Sequence, residues 1–338
     1  MVRIIFKCTI IRDTMTTTAS SPGNLFLCGE HAVVYGYPAI ICSVEQRTAV
    51  TVTRTDNPSI EVTSVEFGTA RAKIEERDIM VTTPNDELAI FLDLVRSLGL
   101  PSGFTASITS SIPVQSGMSS STAVLASFLY ALRNEFSLPI EPSSFYDLLL
   151  PLQKKVHGGK ASGSEIFSST LGGFHRIERR DDVVESHKLC EHDLDIVIAD
   201  TRVHAPTSLT VGYHVPSLID RRRDLVFETF DRIRDITNEA QKALQDGDAQ
   251  KLGKLINENH HMLQRLGLSH PKLDDCVGEA LDAGALGAKL SGSGWGGIMF
   301  ALVDDEHAED VKAALERTRA TVIATSIGGE GTRVEEHI

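Results

Sequence analysis

The pattern of hydrophobic and polar positions predicts strands in the first third of the chain and a mixture of strands and helices after it. Residues 20–54 contain the β-rich stretches NLFLCG, AVVYG and AIICSV and end in the alternating run RTAVTVTR, and 59–83 are typical of further short strands. Later strands are predicted at 104–112, 193–201, 287–290, 298–303 and 321–327. Helices are predicted at 86–98, 120–136, 143–156, 215–246, 248–264, 271–284 and 306–318. This order predicts an α+β fold with two lobes.

The boundary between the lobes is predicted near 180–195, where the polar stretch RRDDVVES interrupts the pattern. This divides the chain into an N-terminal extension (1–18), an N-terminal lobe (19–185) and a C-terminal lobe (186–338). The extension begins with MVRIIFKCTIIRD, which is apolar but broken by Lys7 and Arg12. We interpret it as an extra strand or a disordered extension, and Met15 would serve equally well as the first residue.

Composition and charge narrow the classes of function. With 338 residues, 41% of them hydrophobic, the chain can bury a substantial core, and its net charge of −13 has the wrong sign for a non-specific nucleic-acid binder. No apolar run reaches the roughly 18 residues that a membrane helix requires, so no membrane partner is expected. The five cysteines form no CxxC pair, which argues against a zinc finger or a disulfide framework. Buried or idle thiols in a reducing, cytoplasmic compartment fit best.

Loop one, residues 113–121 (PVQSGMSSS), joins a predicted strand to a predicted helix. Unpaired backbone N–H groups and the helix dipole at such a junction favour an anion such as a phosphate. A serine hydroxyl there can also ligate Mg²⁺. The alternative interpretation is a flexible entry loop in which a serine only caps the helix.

Loop two, residues 289–297 (KLSGSGWGG), has the spacing GxGxxG at Gly292, Gly294 and Gly297. A dinucleotide-binding motif needs a helix after these glycines, but IMFALV is typical of a strand, so we reject that interpretation. Glycines allow a backbone to approach a ligand closely, and the alternative is a glycine-rich hairpin. Trp295, the only tryptophan, is expected to pack in the core rather than to stack on a base.

Loop three, residues 157–165 (HGGKASGSE), resembles a Walker phosphate loop at Lys160 but fails the pattern, because Ala161 stands where Ser or Thr is required. A fourth stretch, SPGNLFLCGEHAVVYG, places Glu30 and His31 within an otherwise apolar, glycine-punctuated segment. A buried charge is costly unless it is paired or used, so both are candidate site residues. The alternative is a surface turn between strands.

These four stretches, in this order, resemble the superfamily of galactokinase, homoserine kinase, mevalonate kinase and phosphomevalonate kinase (GHMP kinases) over about 20–330. GEHAVVYG is the most specific string and resembles the first motif of mevalonate kinases. IPVQSGMSSSTAV and GAKLSGSGWGGIMF resemble the second and third motifs, and IVIADTRVHAPT and INENHHMLQRLGLSHPKLDD resemble further mevalonate kinase segments. The resemblance implies a ribosomal protein S5 domain 2-like N-terminal lobe, a ferredoxin-like C-terminal lobe, and transfer of the γ-phosphate of ATP to the 5-hydroxyl of mevalonate with Mg²⁺.

The resemblance also implies roles for individual residues. Ser121 matches the Mg²⁺-ligating serine, and Thr201 falls in a motif of the substrate-binding lobe. Glu30 and His31 match the motif near the substrate. The implied catalytic residues are Glu165, Asn24 and Lys160, and the implied ATP-binding residues are Gly117, Met118, Ser119, Ser120, Ser121, Gly292, Ser293 and Gly294. ATP and mevalonate are the implied partners, and a homodimer is compatible with the family.

Three positions depart from the family pattern. Asn24 stands where a lysine is usual, and Glu165 stands where a catalytic aspartate is usual. A second Mg²⁺-binding residue, usually glutamate, falls on Gln153 or Lys154, and Lys160 offers a replacement for the missing ammonium. Three hypotheses therefore stay open: an active mevalonate kinase, a related kinase for phosphomevalonate or another mevalonate phosphate, and a catalytically inactive nucleotide-binding homologue.

Overall fold

Two long antiparallel strands form the spine of the fold. A computed structural model describes residues 16–75, 78–113, 117–156, 163–180, 183–190, 192–203 and 205–337. In it, β1 (Thr16–Cys28) pairs with β2 (Ala39–Arg54) over most of their length. The other strands are β3 (Ser59–Ser64), β4 (Gly68–Glu75), β5 (Asp78–Thr83), β6 (Phe104–Ser110), β7 (Phe174–Arg180), β8 (Val183–Lys188), β9 (Leu194–Asp200), β10 (Gly287–Ser291), β11 (Ile298–Leu302), β12 (Thr321–Ile327) and β13 (Arg333–His337).

Within the described residues, the thirteen strands belong to one sheet. Its main order is β10-β11-β9-β12-β2-β6-β3-β4-β5, with β1 between β2 and β13 and with β7 between β2 and β8. The two halves of the sheet meet where Ile327 of β12 opposes Val44 of β2. The division into lobes at residues 185 and 186 stays a prediction. β1 starts inside the predicted N-terminal extension, and residues 1–15 lie outside the described residues.

The helices flank this sheet and confirm the predicted α+β class. They are α1 (Ala89–Leu98), α2 (Ser120–Glu135), α3 (Phe145–Val156), α4 (Ser164–Leu171), α5 (Thr207–Leu209), α6 (Val215–Asp246), α7 (Ala249–Arg265), α8 (Pro271–Asp282) and α9 (Ala308–Arg317). Every helix predicted from the pattern is present, with ends shifted by a few residues. α1 begins three residues later than predicted, at Ala89, after a turn in which the side chain of Asn85 accepts hydrogen bonds from the N–H groups of Glu87 and Leu88. Each described helix is too short or too polar to cross a membrane.

Two local predictions are wrong. The stretch AVVYG forms a 3₁₀-helical turn, Ala32–Tyr35, rather than a strand. Gly29 and Gly36 flank it with φ angles of 95° and 88°, which reverse the chain between β1 and β2. Glu165 lies in the first turn of α4 rather than in a loop, because Gly163, with φ of 77°, turns the chain into that helix. The sequence signal for this helix is weak because the helix has only eight residues.

One apolar cluster lies directly beneath the predicted loops. It contains Leu25 of β1, Met118 of loop one and Ile298 of β11, all at most 2% exposed. Three distant parts of the chain therefore share one close-packed core, and burial of their side chains holds the adjoining loops together. A separate cluster packs α1, α2 and α3 on the opposite half of the sheet.

Candidate active site

Loop one and loop two lie side by side. A Cβ atom placed on Gly292 would lie 4.0 Å from the carbonyl oxygen of Gly117. β1 reaches the same place, because the N–H of Asn24 donates to the carbonyl oxygen of Met118 at 3.1 Å. A Cβ atom on Gly23 would come within 2.9 Å of that oxygen, so only glycine fits there without a shift. The structure therefore brings together three stretches, of which the first and the last lie more than 250 residues apart in the sequence.

The start of α2 is open to an anion. Gly117 and Ser119 have φ angles of 79° and 53°, and Ser119, at the N-cap, makes no capping hydrogen bond with its side chain. The interpretation of loop one as a simple serine cap is therefore wrong. Ser119, Ser120 and Ser121 are half-buried, and no hydroxyl of the three has a hydrogen-bond partner among the described residues. Met118 is 1% exposed and packs in the core, so only its backbone can face a ligand.

The carboxylate of Glu165 lies in the same corner. Gln153 of α3 donates from Nε2 to Glu165 Oε2 at 3.2 Å and to Thr122 Oγ1 of α2 at 2.9 Å. Asn24 donates from Nδ2 to the carbonyl oxygen of Glu165 at 3.4 Å and to Ser169 Oγ at 3.0 Å. These bonds tie the half-buried Glu165 to β1, α2 and α3, beside the open start of α2.

Burial distinguishes Gln153 from Lys154, the two residues that align with the family's second Mg²⁺-binding residue. Gln153 is 2% exposed and faces Glu165, whereas Lys154 is exposed, so Gln153 is the one that belongs to the site. Gln153 Oε1 and Asn24 Oδ1 are buried without a hydrogen-bond partner among the described residues. Lys160 lies outside the described residues, and its role stays a prediction.

Replacing Gln153 with leucine should lower kcat by about ten-fold or more. A hydrogen bond to a charged group contributes about 1.5–3 kcal/mol, and this one orients the Glu165 carboxylate. Steady-state kinetics on the purified variant would measure the effect. The matched control is Gln264→Leu, which removes another amide–carboxylate bond, to Asp274, on α7 and α8. Equal losses in the two variants would contradict a specific role for Gln153.

Glu30 and His31 are buried, so their interpretation as a surface turn is wrong. They are 2% and 5% exposed. The carboxylate of Glu30 forms a buried ion pair with the ammonium of Lys289, which is itself 0% exposed. Burial raises the pKa of Glu30, and Lys289 opposes that rise. Lys289 was not predicted as a site residue, although a charge inside the apolar strand GAKLS is the same signal that identified Glu30.

Side chains of His31, Thr201 and Thr207 make hydrogen-bond contacts with loop two. His31 Nε2 lies 3.0 Å from the carbonyl oxygen of Ser293. Thr201 is 4% exposed, and its Oγ1 donates to the carbonyl oxygen of Gly297 at 2.8 Å. Thr207 Oγ1 donates to Ser293 Oγ at 3.4 Å. Thr201 thus anchors the loop through a carbonyl, and direct contact of Thr201 with a substrate stays a prediction.

The folded protein should lose stability as the pH falls from 6.5 towards 4. Burial lowers the pKa of both His31 and His260 from 6.5 to about 4, so unfolding takes up protons in this range and the free energy of unfolding decreases. Each histidine contributes on the order of 3 kcal/mol to this decrease in the free energy of unfolding.

Urea unfolding at a series of pH values would measure this loss. The His260→Gln variant should show a shallower slope between pH 6.5 and 4. The raised pKa of Glu30 acts in the opposite direction in both proteins and therefore cancels in the comparison. An identical slope in the variant would contradict the prediction.

Comparisons with known proteins agree with this geometry. The family model described as GHMP kinases N terminal domain matches residues 88–173, and the model described as GHMP kinases C terminal matches residues 240–320. The first match covers α2 and Glu165, and the second covers loop two. The site residues of β1, the segment after it and Thr201 lie outside both matched ranges.

Relatives extend the match to nearly the whole chain. The mevalonate kinase of Thermococcus sibiricus is 32% identical over 340 residues, covering 95% of this chain and 99% of the relative, and that of Pyrococcus abyssi is 31% identical, covering 94% and 97%. The fold is shared with the solved structure of L. major mevalonate kinase in complex with R-mevalonate, with a TM-score of 0.77 and 22% identity, covering 92% of this chain and 96% of that one. It is also shared with Methanococcus jannaschii mevalonate kinase, with a TM-score of 0.78 and 21% identity, covering 96% and 100%. With these relatives and both matched domains, the chain belongs to the mevalonate kinases within the GHMP kinase family.

Proposed function

We propose that this protein transfers the γ-phosphate of ATP to the 5-hydroxyl of mevalonate, giving 5-phosphomevalonate and ADP. The observation that carries the proposal is the corner in which the open start of α2, loop two and the Glu165 carboxylate meet. Mevalonate is proposed as the acceptor because relatives are named mevalonate kinase and a structural neighbour was solved in complex with R-mevalonate.

Phosphoryl transfer depends mainly on positioning and on charge neutralisation. The N–H groups and serine hydroxyls at the start of α2 would bind the phosphates, because they are donors at the positive end of a helix. Loop two would close the opposite side of the nucleotide. The Glu165 carboxylate would take or orient the proton of the acceptor hydroxyl. Gln153 holds this carboxylate in place through a hydrogen bond.

The residues at this corner also fit a magnesium ion that arrives with the nucleotide. Mg²⁺ keeps several waters and binds through one or two carboxylates together with substrate phosphates. Ser121 would supply a hydroxyl beside the phosphate oxygens, and the buried Gln153 Oε1 is an oxygen without a partner among the described residues. When bound, the ion neutralises charge on the transferred phosphate.

The Ser121→Ala variant should need more Mg²⁺ than the unmodified protein. We expect the Mg²⁺ concentration for half-maximal rate to rise about ten-fold, the scale that is typical when a supporting group is lost from a metal site. Rates measured over a Mg²⁺ titration at constant ATP would show it. Ser144→Ala, at an exposed serine before α3, is the control. An unchanged Mg²⁺ dependence would remove Ser121 from the metal site.

The proposed function is tested by ADP release measured across a panel of acceptors. The panel contains mevalonate, its phosphates and simple sugars, each with ATP and Mg²⁺. Release that depends on mevalonate supports the proposal. ADP release with a mevalonate phosphate or a sugar, but not with mevalonate, would show that the acceptor is that other molecule. Tight ATP binding without release for any acceptor would identify an inactive nucleotide-binding homologue.

A further inference from the structure

A fully buried lysine, Lys289, joins the segment that follows β1 to the start of loop two. Lys289 of β10 is 0% exposed, and its Nζ donates to the carboxylate of Glu30, to the carbonyl oxygen of Leu290 at 2.7 Å and to that of Phe26 at 3.4 Å. The ring of Phe300 lies 5.5 Å from the same ammonium. One ammonium thus contacts β1, β10, β11 and the segment after β1.

Side chains make this junction in place of a backbone ladder. β10 pairs along its backbone with β11, and among the described residues no ladder joins β10 to β1. Ser291 Oγ accepts from the N–H of Phe26 at 3.0 Å and lies 3.3 Å from the carbonyl oxygen of the same residue. Lys289 and Ser291 are two residues apart and therefore face the same side of β10. Together they hold Phe26 of β1 against the strand that leads into loop two.

The ion pair is a costly way to fill a core. Apolar residues of similar volume are often as stabilising as a buried ion pair, or more so, because both charges must lose their water. Glu30 Oε2 is also buried without a hydrogen-bond partner among the described residues. Both members of the pair are, however, close in sequence to loop two contacts. Glu30 precedes His31, which contacts the carbonyl oxygen of Ser293, and Lys289 lies three residues before Gly292.

We propose that the Glu30–Lys289 pair is a positioning pair that sets loop two against the start of α2, and that Glu30 acts through Lys289 rather than on the acceptor. The inference deepens the proposed function and rests on it for its kinetic readout. Lys289 orients the carbonyl groups on either side of the junction, and the neighbouring His31 transmits that geometry to Ser293.

A double-mutant cycle tests the pair. The variants are Lys289→Met, Glu30→Gln and the two together, with kcat/KM for the acceptor as the readout. Each single change should lower kcat/KM about 100-fold, the cost of a misplacement near 1 Å. The double variant should lose no more than either single variant, because both act through one contact. It should also regain thermal stability, since no unpaired buried charge remains.

Two kinetic outcomes would overturn the inference. Losses that multiply in the double variant would mean that Glu30 and Lys289 act independently, as they would if Glu30 contacted the acceptor. A double variant that regains both its Tm and its kcat/KM would mean that the pair serves stability alone. Val311→Ala truncates a buried side chain of α9, which packs on β9 and β12, and controls for a general loss of stability.

Trp295 gives a second readout that does not need turnover. It is the only tryptophan, it lies in loop two, and its Nε1 donates to the carbonyl oxygen of Gly267 at 2.7 Å. Acrylamide should quench its fluorescence more strongly in Lys289→Met and in the double variant than in the unmodified protein or in Val311→Ala. Unchanged quenching in both would contradict the inference. Absence of turnover in the unmodified protein would instead overturn the proposed function and leave this fluorescence test intact.

Discussion

Replacing Glu165 with glutamine should lower kcat by about 10²–10⁴-fold while the KM for ATP changes little. This is the range that a positioned acid–base group contributes. The variant keeps the shape of the side chain and its place in the first turn of α4, and it loses only the negative charge. The bond from Gln153 Nε2 can persist to the new amide oxygen, so the effect isolates the carboxylate itself.

Initial rates at varied ATP and at varied mevalonate would separate kcat from the two KM values. Asp147→Asn removes an exposed carboxylate from the first turn of α3 and is the matched control. Glu165→Asp tests the length of the side chain, and a loss in it shows that the position of the carboxylate also matters. Equal proportional changes in kcat and in the KM for ATP in Glu165→Gln would argue against a role in transfer.

Replacing Gly294 with alanine should nearly abolish turnover, by about 100-fold or more. Its φ is 78°, and an added Cβ would lie 2.0 Å from the carbonyl oxygen of Leu268. That carbonyl also accepts the N–H of Trp295 at 2.9 Å, so loop two must shift away from its anchor. A shift near 1 Å at a site of phosphoryl transfer is enough for such a loss.

Gly297 provides a matched control in the same loop. Its φ is also 78°, but a Cβ atom there would have no neighbour within 4 Å. Both alanine variants therefore place a side chain at a positive φ, which costs about 1–2 kcal/mol, and only Gly294→Ala adds the collision. We expect Gly297→Ala to lower Tm slightly and to keep most of its kcat. Similar kinetics in the two variants would show that the contact with Leu268 does not position the loop.

Helix positions were predictable because their signal is local. α6 occupies Val215–Asp246, the range that the apolar spacing predicts, and α2, α7 and α8 differ from prediction only near their ends. Short elements were not predictable in this way. α4 has only eight residues and follows a glycine, and the turn at Ala32–Tyr35 has the apolar composition of a strand. Both elements are too short for the spacing of apolar residues to identify them.

Candidate site residues were likewise predictable where their signal is local, and their distant partners were not. Glu30 and His31 were identifiable because charge in an apolar segment is locally visible. Their partners were not, since Lys289 is 259 residues from Glu30 and Ser293 is 262 residues from His31. Gln153 was ambiguous with Lys154 until its burial against Glu165 distinguished the two. Met118 matched a binding motif, yet its side chain belongs to the core.

By itself, then, the sequence determined the α+β class, the long helices, the glycine-bearing loops and the resemblance to GHMP kinases. These features depend on periodicity, on backbone freedom and on short strings of residues, all of which are local. Only the tertiary structure decided which groups meet: Gln153 with Glu165, Lys289 with Glu30, and the Thr201 hydroxyl with the carbonyl oxygen of Gly297. Such pairs form when close packing brings distant segments together, and no local pattern specifies that packing.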